Sequence, residues 1–237
     1  MQLFYNPEIS TKTKSFSFDK EESRHIVRVL RKNTGDELCI TNGKEQLFWA
    51  TIVQANDKKC IAEINRCEDR PKTWNFDLHI AIAPTKMNDR FEWFLEKATE
   101  IGIDEITPLF CDHSERKQVK IERMEKVVIS AMKQSLKCKL PKLNEPEKFK
   151  DFIRQKDWDL GLIAHCQQGD KKQIRDLIRE KKKIMILIGP EGDFSDHEIE
   201  EAKAIGLYAV SLGESRLRTE TAGVVACSNI AILKDIL

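Results

Sequence analysis

The stretch IMILIGPEGDFSDHEIE, residues 184–200, contains a strand, a glycine loop and a helix start in direct succession. Its first five residues are all apolar, as in a strand that is buried on both faces of a parallel sheet. Ser195 and Glu198 have the spacing of a capping box, in which two side chains bond free backbone N–H groups at a helix N-terminus, and Gly206 predicts the end of that helix. The stretch therefore predicts one strand–loop–helix unit of an α/β domain.

The same alternation of apolar strands and amphipathic helices extends on both sides of this stretch. Asp89 to Glu92 form a second capping-box pattern, Gly102 predicts the end of the helix that starts there, and a last helix is predicted from Glu220 to Ile236. Five βα units in a row predict a mostly parallel sheet whose ligand site lies at the carboxyl ends of the strands. The predicted strands are Asp77 to Ala83, Glu105 to Phe110, Asp159 to His165, Ile184 to Ile188, and Leu207 to Leu212.

The N-terminal part of the chain has a different, β-rich pattern. Asn42-Gly43 between two β-type runs is a strong hairpin signal, because both residues of such a turn adopt positive φ. Arg70-Pro71-Lys72 marks a linker. We therefore predict two domains, a small β-barrel over residues 1–71 and an α/β domain over residues 72–237. The predicted N-terminal strands are Glu37 to Thr41, Leu47 to Val53, and Lys59 to Ile64.

The composition restricts the classes of function. Of the 237 residues, 41% are hydrophobic and 33% are charged, which is too apolar for wholesale disorder. No apolar run reaches membrane-spanning length and the N-terminus lacks the features of a secretory signal, so we expect a cytoplasmic protein without a membrane partner. Seven cysteines without a CxxC pair and five histidines without ligand spacing predict no metal site. The net charge of +1 leaves RNA binding to local basic patches.

Two glycine-containing loops, residues 189–194 and 213–222, follow predicted strands and form the candidate binding site. Glycine permits positive φ and a close approach of the backbone, so main-chain N–H and C=O groups can bind a nucleoside directly. Each loop by itself also fits an ordinary turn of an α/β domain. Neither loop contains the GxGxxG or GxxxxGK[ST] pattern, so a doubly wound nucleotide-binding enzyme has no positive support.

Four segments resemble, in order and spacing, the SPOUT-superfamily enzymes that methylate N3 of a uridine in 16S ribosomal RNA. LIGPEGDFSDHEIE (187–200) and LGESRLRTETA (212–222) resemble the two C-terminal signature motifs of that family. MNDRFEWFLEKATEIGIDEITPLF (87–110) resembles its first helix and next strand, and HIVRVLR (25–31) resembles part of its N-terminal PUA-like domain. The resemblance implies an α/β fold with a deep C-terminal trefoil knot behind a small PUA-like β-barrel, a homodimer, and 16S ribosomal RNA of the small subunit as partner.

The resemblance also implies S-adenosyl-L-methionine as the cofactor, bound between the loops of the knot beside a subunit interface. Backbone groups of the two loops would contact it, and the apolar members would form an adenine pocket. Glu191 would support its loop or reach a ribose hydroxyl. The implied cofactor-binding residues are Leu187, Ile188, Gly189, Glu191, Gly192, Leu212, Gly213, Leu217, Arg218 and Thr219.

Arg218 and Glu220 are the candidate catalytic residues, at the point where the second loop enters the last predicted helix. Uridine N3 carries an imide proton and is a poor nucleophile until that proton leaves, so the enzyme needs a base or a cation that stabilises the uracil anion. We assign Arg218 to the uracil oxygens or a phosphate, and Glu220 to orienting Arg218 or assisting proton removal. An equally weighted alternative is that Glu220 only caps the last helix.

Basic residues of both domains are the candidate RNA contacts, with an ordinary solvated surface as the alternative. The target base must be unpaired, because N3 lies on the Watson–Crick edge. Where the family has a motif like EQSGR, this chain has Leu136 and Lys137 in place of Gly-Arg, and lysine offers a point charge instead of a bidentate fork. The candidates are Arg24, Arg28, Arg31, Lys32, Lys86, Arg116, Lys117 and Lys137.

Two alternative functions remain open at this point. The first keeps the fold and changes the substrate to a transfer RNA base or a ribose 2′-hydroxyl. The second is a non-catalytic RNA-binding factor of ribosome assembly with the same two domains. The two intact glycine loops argue against the second.

Overall fold

The computed structural model describes residues 2–155 and 157–236. The chain divides into two compact units, Met1–Thr73 with Met132–Leu140, and Trp74–Ala131 with Pro141–Leu237. Each unit has its own sheet and its own apolar core.

The first unit is built on a five-stranded sheet in the order β1-β3-β4-β5-β2. Its strands are β1 (Leu3–Tyr5), β2 (Ser15–Ser17), β3 (Glu37–Thr41), β4 (Gln46–Gln54) and β5 (Ile61–Asp69). All pairs are antiparallel except β1 with β3. Phe4, Ile26 and Phe48 are fully or almost fully buried in its core. The predicted small N-terminal β domain is confirmed.

The hairpin predicted at Asn42-Gly43 is confirmed, because β3 and β4 are antiparallel neighbours, but the predicted two-residue turn is wrong. β3 and β4 are joined by four residues, and the positive φ angles belong to Gly43 (74°) and Glu45 (63°). Asn42 is held differently, because its Oδ1 accepts from the Lys44 N–H at 2.9 Å and its Nδ2 donates to Gln46 Oε1 at 2.9 Å. Such a bond from the side chain to the backbone two residues on forms an Asx turn, which replaces the tight hairpin.

The basic stretch Arg24 to Lys32 forms less regular helix than its pattern indicates. Helix α1 (Lys20–Arg24) begins at Asp19, whose carboxylate accepts from the Glu22 N–H at 2.8 Å. A π-helical turn, His25–Val29, follows it directly. The helical path ends before Arg31, which has φ 56°.

A second segment of the first unit, Met132–Leu140, contains the Leu136 and Lys137 that replace the Gly-Arg of the resembled family. The Lys137 N–H donates to Met132 O at 3.1 Å and the Leu136 N–H donates to Lys133 O at 3.3 Å. These two bonds form a Schellman motif, whose C′ residue is usually glycine. Here that residue is Leu136, with φ 56°.

Replacing Leu136 with glycine is expected to stabilise the protein by about 0.5–1 kcal/mol. The left-handed conformation costs an L-residue roughly 1–2 kcal/mol, and the greater freedom of glycine in the unfolded chain offsets part of the gain. Leu136 is 45% exposed, so little packing is lost. Urea unfolding measures the difference. Leu136→Ala, which keeps the strain, is the control, and a glycine variant no more stable than the alanine variant would contradict the prediction.

The second unit is built on a parallel sheet in the order β11-β13-β10-β12-β6-β7-β8, with β9 also paired to β7. All strand pairs of this sheet among the described residues are parallel. The strands are β6 (Asp77–Ile82), β7 (Glu105–Phe110), β8 (Lys142–Leu143), β9 (Glu147–Lys148), β10 (Leu160–Ala164), β11 (Lys172–Gln173), β12 (Lys183–Ile188) and β13 (Tyr208–Ser211). The five predicted strands are confirmed, and β8, β9 and β11 are additional short ones.

The remaining helices are α2 (Asn88–Ile101), α3 (Ile121–Gln134), α4 (Phe149–Phe152), α5 (Ile174–Leu177), α6 (Asp196–Ala204) and α7 (Thr219–Ile236). The capping box of α6 is confirmed, since Ser195 Oγ accepts from the Glu198 N–H and the Glu198 carboxylate accepts from the Ser195 N–H. The capping box predicted at Asp89 is wrong. Helix α2 begins two residues earlier, and its N-cap Met87 makes no side-chain cap bond. Asp89 lies inside the first turn, where its negative charge interacts favourably with the helix dipole.

The C-terminal helix crosses back over the sheet. Strand β13 lies beyond β10, on the side away from β12 and β6, yet the next element, α7, packs against α2, β6 and β12. Gly223 of α7 makes this possible, because a Cβ there would lie 2.6 Å from the Phe94 ring and 2.8 Å from Ile82 Cδ1. The predicted mixed α/β fold with a mostly parallel sheet is confirmed. The trefoil knot expected from the resemblance requires such a return of the chain.

Two histidines, the half-buried His79 and the buried His165, make the stability of the protein depend on pH. Burial lowers the pKa of His79, which contacts Thr107 Oγ1 at 2.8 Å, and burial likewise lowers the pKa of His165. Because both pKa values are lower in the folded than in the unfolded protein, the unfolded chain binds more protons near pH 6, and stability falls as the pH decreases.

We expect the free energy of unfolding to decrease as the pH is lowered from 7.5 to about 5.5, through the ordinary histidine pKa of about 6.5. The carboxylates with lowered pKa values, such as Asp57 and Glu105, lose their contribution only at lower pH. Urea unfolding of His79→Gln should show a shallower decrease. The same change at His197, whose side chain is 75% exposed, is the control and should leave the slope as in the wild type.

Within residues 2–155 and 157–236, no helix is long and apolar enough to cross a membrane. No group of three or more His, Cys, Asp or Glu side chains in those residues is placed to hold a metal ion. All seven cysteines are free thiols, and Cys166 is the exposed one.

Candidate active site

A cavity of about 860 Å³ lies at the carboxyl ends of β10, β12 and β13. This volume is within the range of about 300–1,000 Å³ that is typical of small-molecule sites. The cavity is where a ligand site is expected in a parallel sheet. Its wall combines apolar residues with charged ones. The apolar lining residues are Ala164, Ile188, Val210, Leu212, Leu217 and Ala222, and the charged ones are Arg90, Lys171, Glu191, Asp193, Glu214, Arg216, Arg218 and Glu220.

The loop after β12 is braced against two other strand ends. Asp193, with φ 64°, accepts from the Cys166 N–H at 2.7 Å and from the Phe194 N–H at 2.9 Å. Glu191 accepts from the backbone N–H of Lys86 at 3.0 Å. The carboxylate of Glu191 therefore supports its loop, one of the two roles considered for it.

The three loop glycines serve two different purposes. A Cβ on Gly189 would lie 3.0 Å from the Phe194 ring, and a Cβ on Gly192 would lie 3.0 Å from His113 Cβ, so these glycines permit packing between protein groups. Gly213 has φ 134° and no atom within 4 Å of an added Cβ. Among them, Gly213 is the one whose backbone conformation requires glycine beside open space.

The second loop leads from β13 into α7. Ser211 Oγ accepts from the Gly213 N–H at 3.3 Å and donates to Gly213 O at 3.2 Å, which stabilises the first bend. Arg218 is exposed, whereas Thr219 and Glu220 are buried at 5% and 7% exposure. The loop therefore presents the Arg218 guanidinium at the surface of the cavity while α7 holds Glu220 in its wall.

Glu220 forms an ion pair with Arg90, whose Nε lies 3.9 Å from Glu220 Oε1. No ion pair joins Glu220 to Arg218 among the residues that the structure describes. Arg90 lies in the first turn of α2, and with Arg216 and Arg218 it also borders a second cavity of about 650 Å³. Three arginines and one buried carboxylate thus line both cavities, which gives their shared wall a positive character.

The predicted cofactor residues are placed as follows. Ile188, Gly189, Glu191, Leu212, Gly213, Leu217, Arg218 and Thr219 line the first cavity, as does Glu220. Leu187 lies in the core of the unit, and Gly192 packs on His113, so neither lines the cavity. These two residues pack against other protein groups instead.

The predicted RNA contacts belong to both units. Arg24, Arg28, Arg31, Lys32 and Lys137 lie in the first unit, and Lys86, Arg116 and Lys117 lie in the second. Arg28 is paired with Asp57 at 2.7 Å, which holds the pKa of Asp57 below its ordinary value. Lys86 is paired with Glu115 at 2.9 Å, and Arg116 donates to Gln118 O at 2.8 Å.

Arg90, His165 and Arg216 are among the cavity residues that sequence reasoning missed. Arg216 lies inside the glycine loop that was singled out, and Arg90 lies inside the resembling segment 87–110, so their positions were a signal. His165 ends a predicted strand, and the rule that ligands bind at strand ends would have included it. Its two ring nitrogens are buried and have no hydrogen-bond partner.

Comparison with known proteins agrees with this geometry. Residues 72–231 match the family model of the RNA methyltransferase domain, and residues 18–65 match that of the RNA methyltransferase PUA domain. A curated relative from Buchnera aphidicola subsp. Acyrthosiphon pisum, named ribosomal RNA small subunit methyltransferase E, is 33% identical over 89% of this chain and 85% of its own. The chain belongs to this methyltransferase family. The resemblance identified from the four sequence segments is confirmed.

Two solved structures place this methyltransferase among close structural neighbours. A probable rRNA-methyltransferase from Porphyromonas gingivalis is 42% identical and has a TM-score of 0.94. The match covers 100% of this chain and 99% of that protein. A ribosomal RNA small subunit methyltransferase E from Neisseria gonorrhoeae, solved with bound S-adenosyl methionine, is 25% identical with a TM-score of 0.87, over 98% of both chains.

Proposed function

We propose that this chain transfers a methyl group from S-adenosyl-L-methionine to N3 of a uridine in 16S ribosomal RNA of the small subunit. The observation that carries the proposal is the cavity at the ends of β10, β12 and β13, because its position, volume and mixed lining suit a nucleoside cofactor. The family membership and the cofactor bound to the Neisseria gonorrhoeae relative support the same reading.

The residues of the cavity fit the proposed cofactor. Ile188, Leu212 and Leu217 offer an apolar surface for the adenine ring, and the backbone around Gly213 lies beside open space. Charged residues of the lining, such as Lys171 and Arg216, suit the amino-acid part. The two ring nitrogens of buried His165 have no hydrogen-bond partner, so they suit a polar group of the ligand. When bound, the cofactor supplies an activated methyl group on a sulfonium.

The residues of the chain prepare the uracil for this transfer. Arg218 donates to the uracil oxygens and stabilises the negative charge that develops when the N3 proton leaves. Arg90 holds Glu220 in the wall between the two cavities, where the carboxylate either positions the arginines or accepts the proton. The braced loop after β12 and the bend at Gly213 keep the reacting groups aligned.

RNA is proposed to bind through the basic residues of both units, as an unpaired segment with an accessible uridine. Because the proposed partner is ribosomal RNA, we propose that the protein acts in the cytoplasm. We also propose a homodimer, on the basis of the family resemblance. Recognition through phosphates makes binding depend on ionic strength, because each contact releases counterions.

The affinity for single-stranded RNA is expected to fall steeply with salt. Each phosphate contact contributes about 0.7 to the slope of log K against log salt concentration, so Arg24→Ala and Lys86→Ala should each lower that slope by about this amount. Fluorescence anisotropy between 50 and 300 mM KCl measures the slope. Lys12→Ala, in an exposed loop, is the matched control. A slope that does not differ between these variants and the wild type would contradict the proposed contacts.

Mass spectrometry of nucleosides tests the proposed reaction. Purified chain, S-adenosyl-L-methionine and either free 16S ribosomal RNA or isolated small subunits from a strain that lacks this gene should yield N3-methyluridine at one position. A methylated transfer RNA base or a ribose 2′-O-methyl product would replace the proposed substrate. The absence of both methylation and cofactor binding would favour a non-catalytic RNA-binding factor.

A further inference from the structure

His165 is a buried polar residue whose hydrogen bonds are incomplete. The residue lines the main cavity and is 9% exposed, and both ring nitrogens are buried without a hydrogen-bond partner. A buried polar atom without a partner costs roughly 1–3 kcal/mol, so a native structure rarely keeps one unless something binds it. The backbone of the residue is anchored, because Lys171 Nζ donates to His165 O at 2.6 Å.

His165 follows the strand that lies between the strands of the two glycine loops. In the parallel register Ala164 pairs with both Ile188 of β12 and Val210 of β13. His165 therefore follows β10 at the level where Gly189 follows β12 and Ser211 ends β13. A ligand that contacts both loops must lie across the end of β10, beside His165.

The two acidic residues of the loop after β12, which could bind a ribose diol, already accept backbone hydrogen bonds. Glu191 accepts from the Lys86 N–H, and the two oxygens of Asp193 accept from the Cys166 and Phe194 N–H groups. His165 is different, because both of its polar atoms are without a partner among the described residues.

The charge state of His165 indicates the kind of group that it binds. Burial is the main cause that lowers its pKa, Lys171 and Lys203 act in the same direction, and Asp193 acts against them. The ring is therefore neutral near pH 7, with one N–H donor and one lone pair. A hydroxyl group can donate or accept and so matches either nitrogen. A carboxylate accepts only, and the lining residues Lys171, Arg216 and Arg218 serve it better.

We infer that His165 binds a ribose hydroxyl of the nucleoside held in this cavity and thereby selects a ribonucleoside donor. This inference rests on the proposed function and assigns one contact within it. The adenine lies against the apolar residues of the two loops, and the sugar lies over the end of β10.

A double-mutant cycle between protein and ligand tests this contact. Isothermal titration of the full chain with S-adenosylhomocysteine and with its 2′-deoxy and 3′-deoxy analogues gives the affinities. For the wild type, removal of one of the two hydroxyls should weaken binding by about five- to tenfold, the value of one hydrogen bond. His165→Ala should weaken binding of the ribonucleoside by a similar factor and bind the ribo and deoxy ligands equally.

Two further variants keep the test decisive. His165→Asn, which retains a donor and an acceptor, should recover part of the discrimination, and His165→Phe, which retains the ring volume, should not. His197→Ala, at an exposed histidine that lines neither cavity, is the matched control and should still discriminate between the ribo and deoxy ligands. Circular dichroism verifies folding, and the asparagine and phenylalanine variants take the place of an alanine variant that fails to fold.

The outcomes separate this inference from the proposed function. If the wild type binds the ribonucleoside and methylates RNA, but the His165 variants discriminate as the wild type does, the inference is overturned and the proposed function stands. A wild type that binds ribo and deoxy ligands equally also overturns it. A wild type that binds neither S-adenosylmethionine nor S-adenosylhomocysteine would overturn both.

Discussion

Replacing Arg218 with alanine is expected to lower the methylation rate at least about a hundredfold while the affinity for S-adenosyl-L-methionine changes by only a small factor. The removal of one preorganised donor from a developing anion typically costs 10²–10³ in rate. The guanidinium is exposed and borders both cavities, whereas the backbone that forms the cofactor side of the loop is unchanged by the substitution. The loss should therefore appear in the chemical step.

Single-turnover rates with labelled cofactor measure that step, and isothermal titration measures cofactor binding. Arg218→Lys keeps the charge without the bidentate fork, so we expect it to recover only part of the rate. Arg175→Ala is the matched control, because that arginine is exposed on α5 and lies outside both cavities. Full activity of Arg218→Ala would remove Arg218 from the mechanism.

Replacing Gly223 with alanine is expected to destabilise the protein by about 2 kcal/mol. The new Cβ would lie 2.6 Å from two ring atoms of Phe94, which is fully buried. Overpacking of a core typically costs 1–3 kcal/mol, and the intrinsic helix preference of alanine returns 0.5–1 kcal/mol at most. The midpoint of thermal unfolding should fall by about 5 °C.

The effect of Gly223→Ala can be separated from a general loss of helix stability. Phe94→Leu removes the ring atoms that the new methyl group meets, so the double variant should be more stable than the sum of the two single changes predicts. Differential scanning calorimetry of the four proteins gives the coupling. If the two effects add without coupling, the close approach of α7 to Phe94 is not the cause of the destabilisation.

The local features of the fold follow from sequence patterns that favour one local structure over the others. The five apolar runs of the α/β unit are strands because long buried apolar segments between polar helices fit a parallel sheet, and Ser195 with Glu198 caps α6 by direct bonds. Local patterns failed where another interaction competed. Asn42 bonds its own loop instead of forming a two-residue turn, and α2 starts before the expected cap at Asp89.

The candidate site, too, could be predicted from the sequence only in part. The sequence predicted the two loops, because strand ends and glycines can be recognised in the chain itself. Of the ten residues proposed from the sequence to bind the cofactor, eight line the cavity. It did not predict that Gly189 and Gly192 serve packing, since the Phe194 ring and His113 come close only through the folded loops.

The sequence by itself determined that this protein has a parallel α/β unit with a ligand site at two glycine loops, and it identified the family through those loops. Only the tertiary structure brought Arg90 to Glu220, 130 residues apart in the chain, and placed His165 between the two loops with its nitrogens unpaired. The physical reason is that propensities and caps act over a few residues, whereas the order of strands in a sheet decides which distant side chains share a cavity.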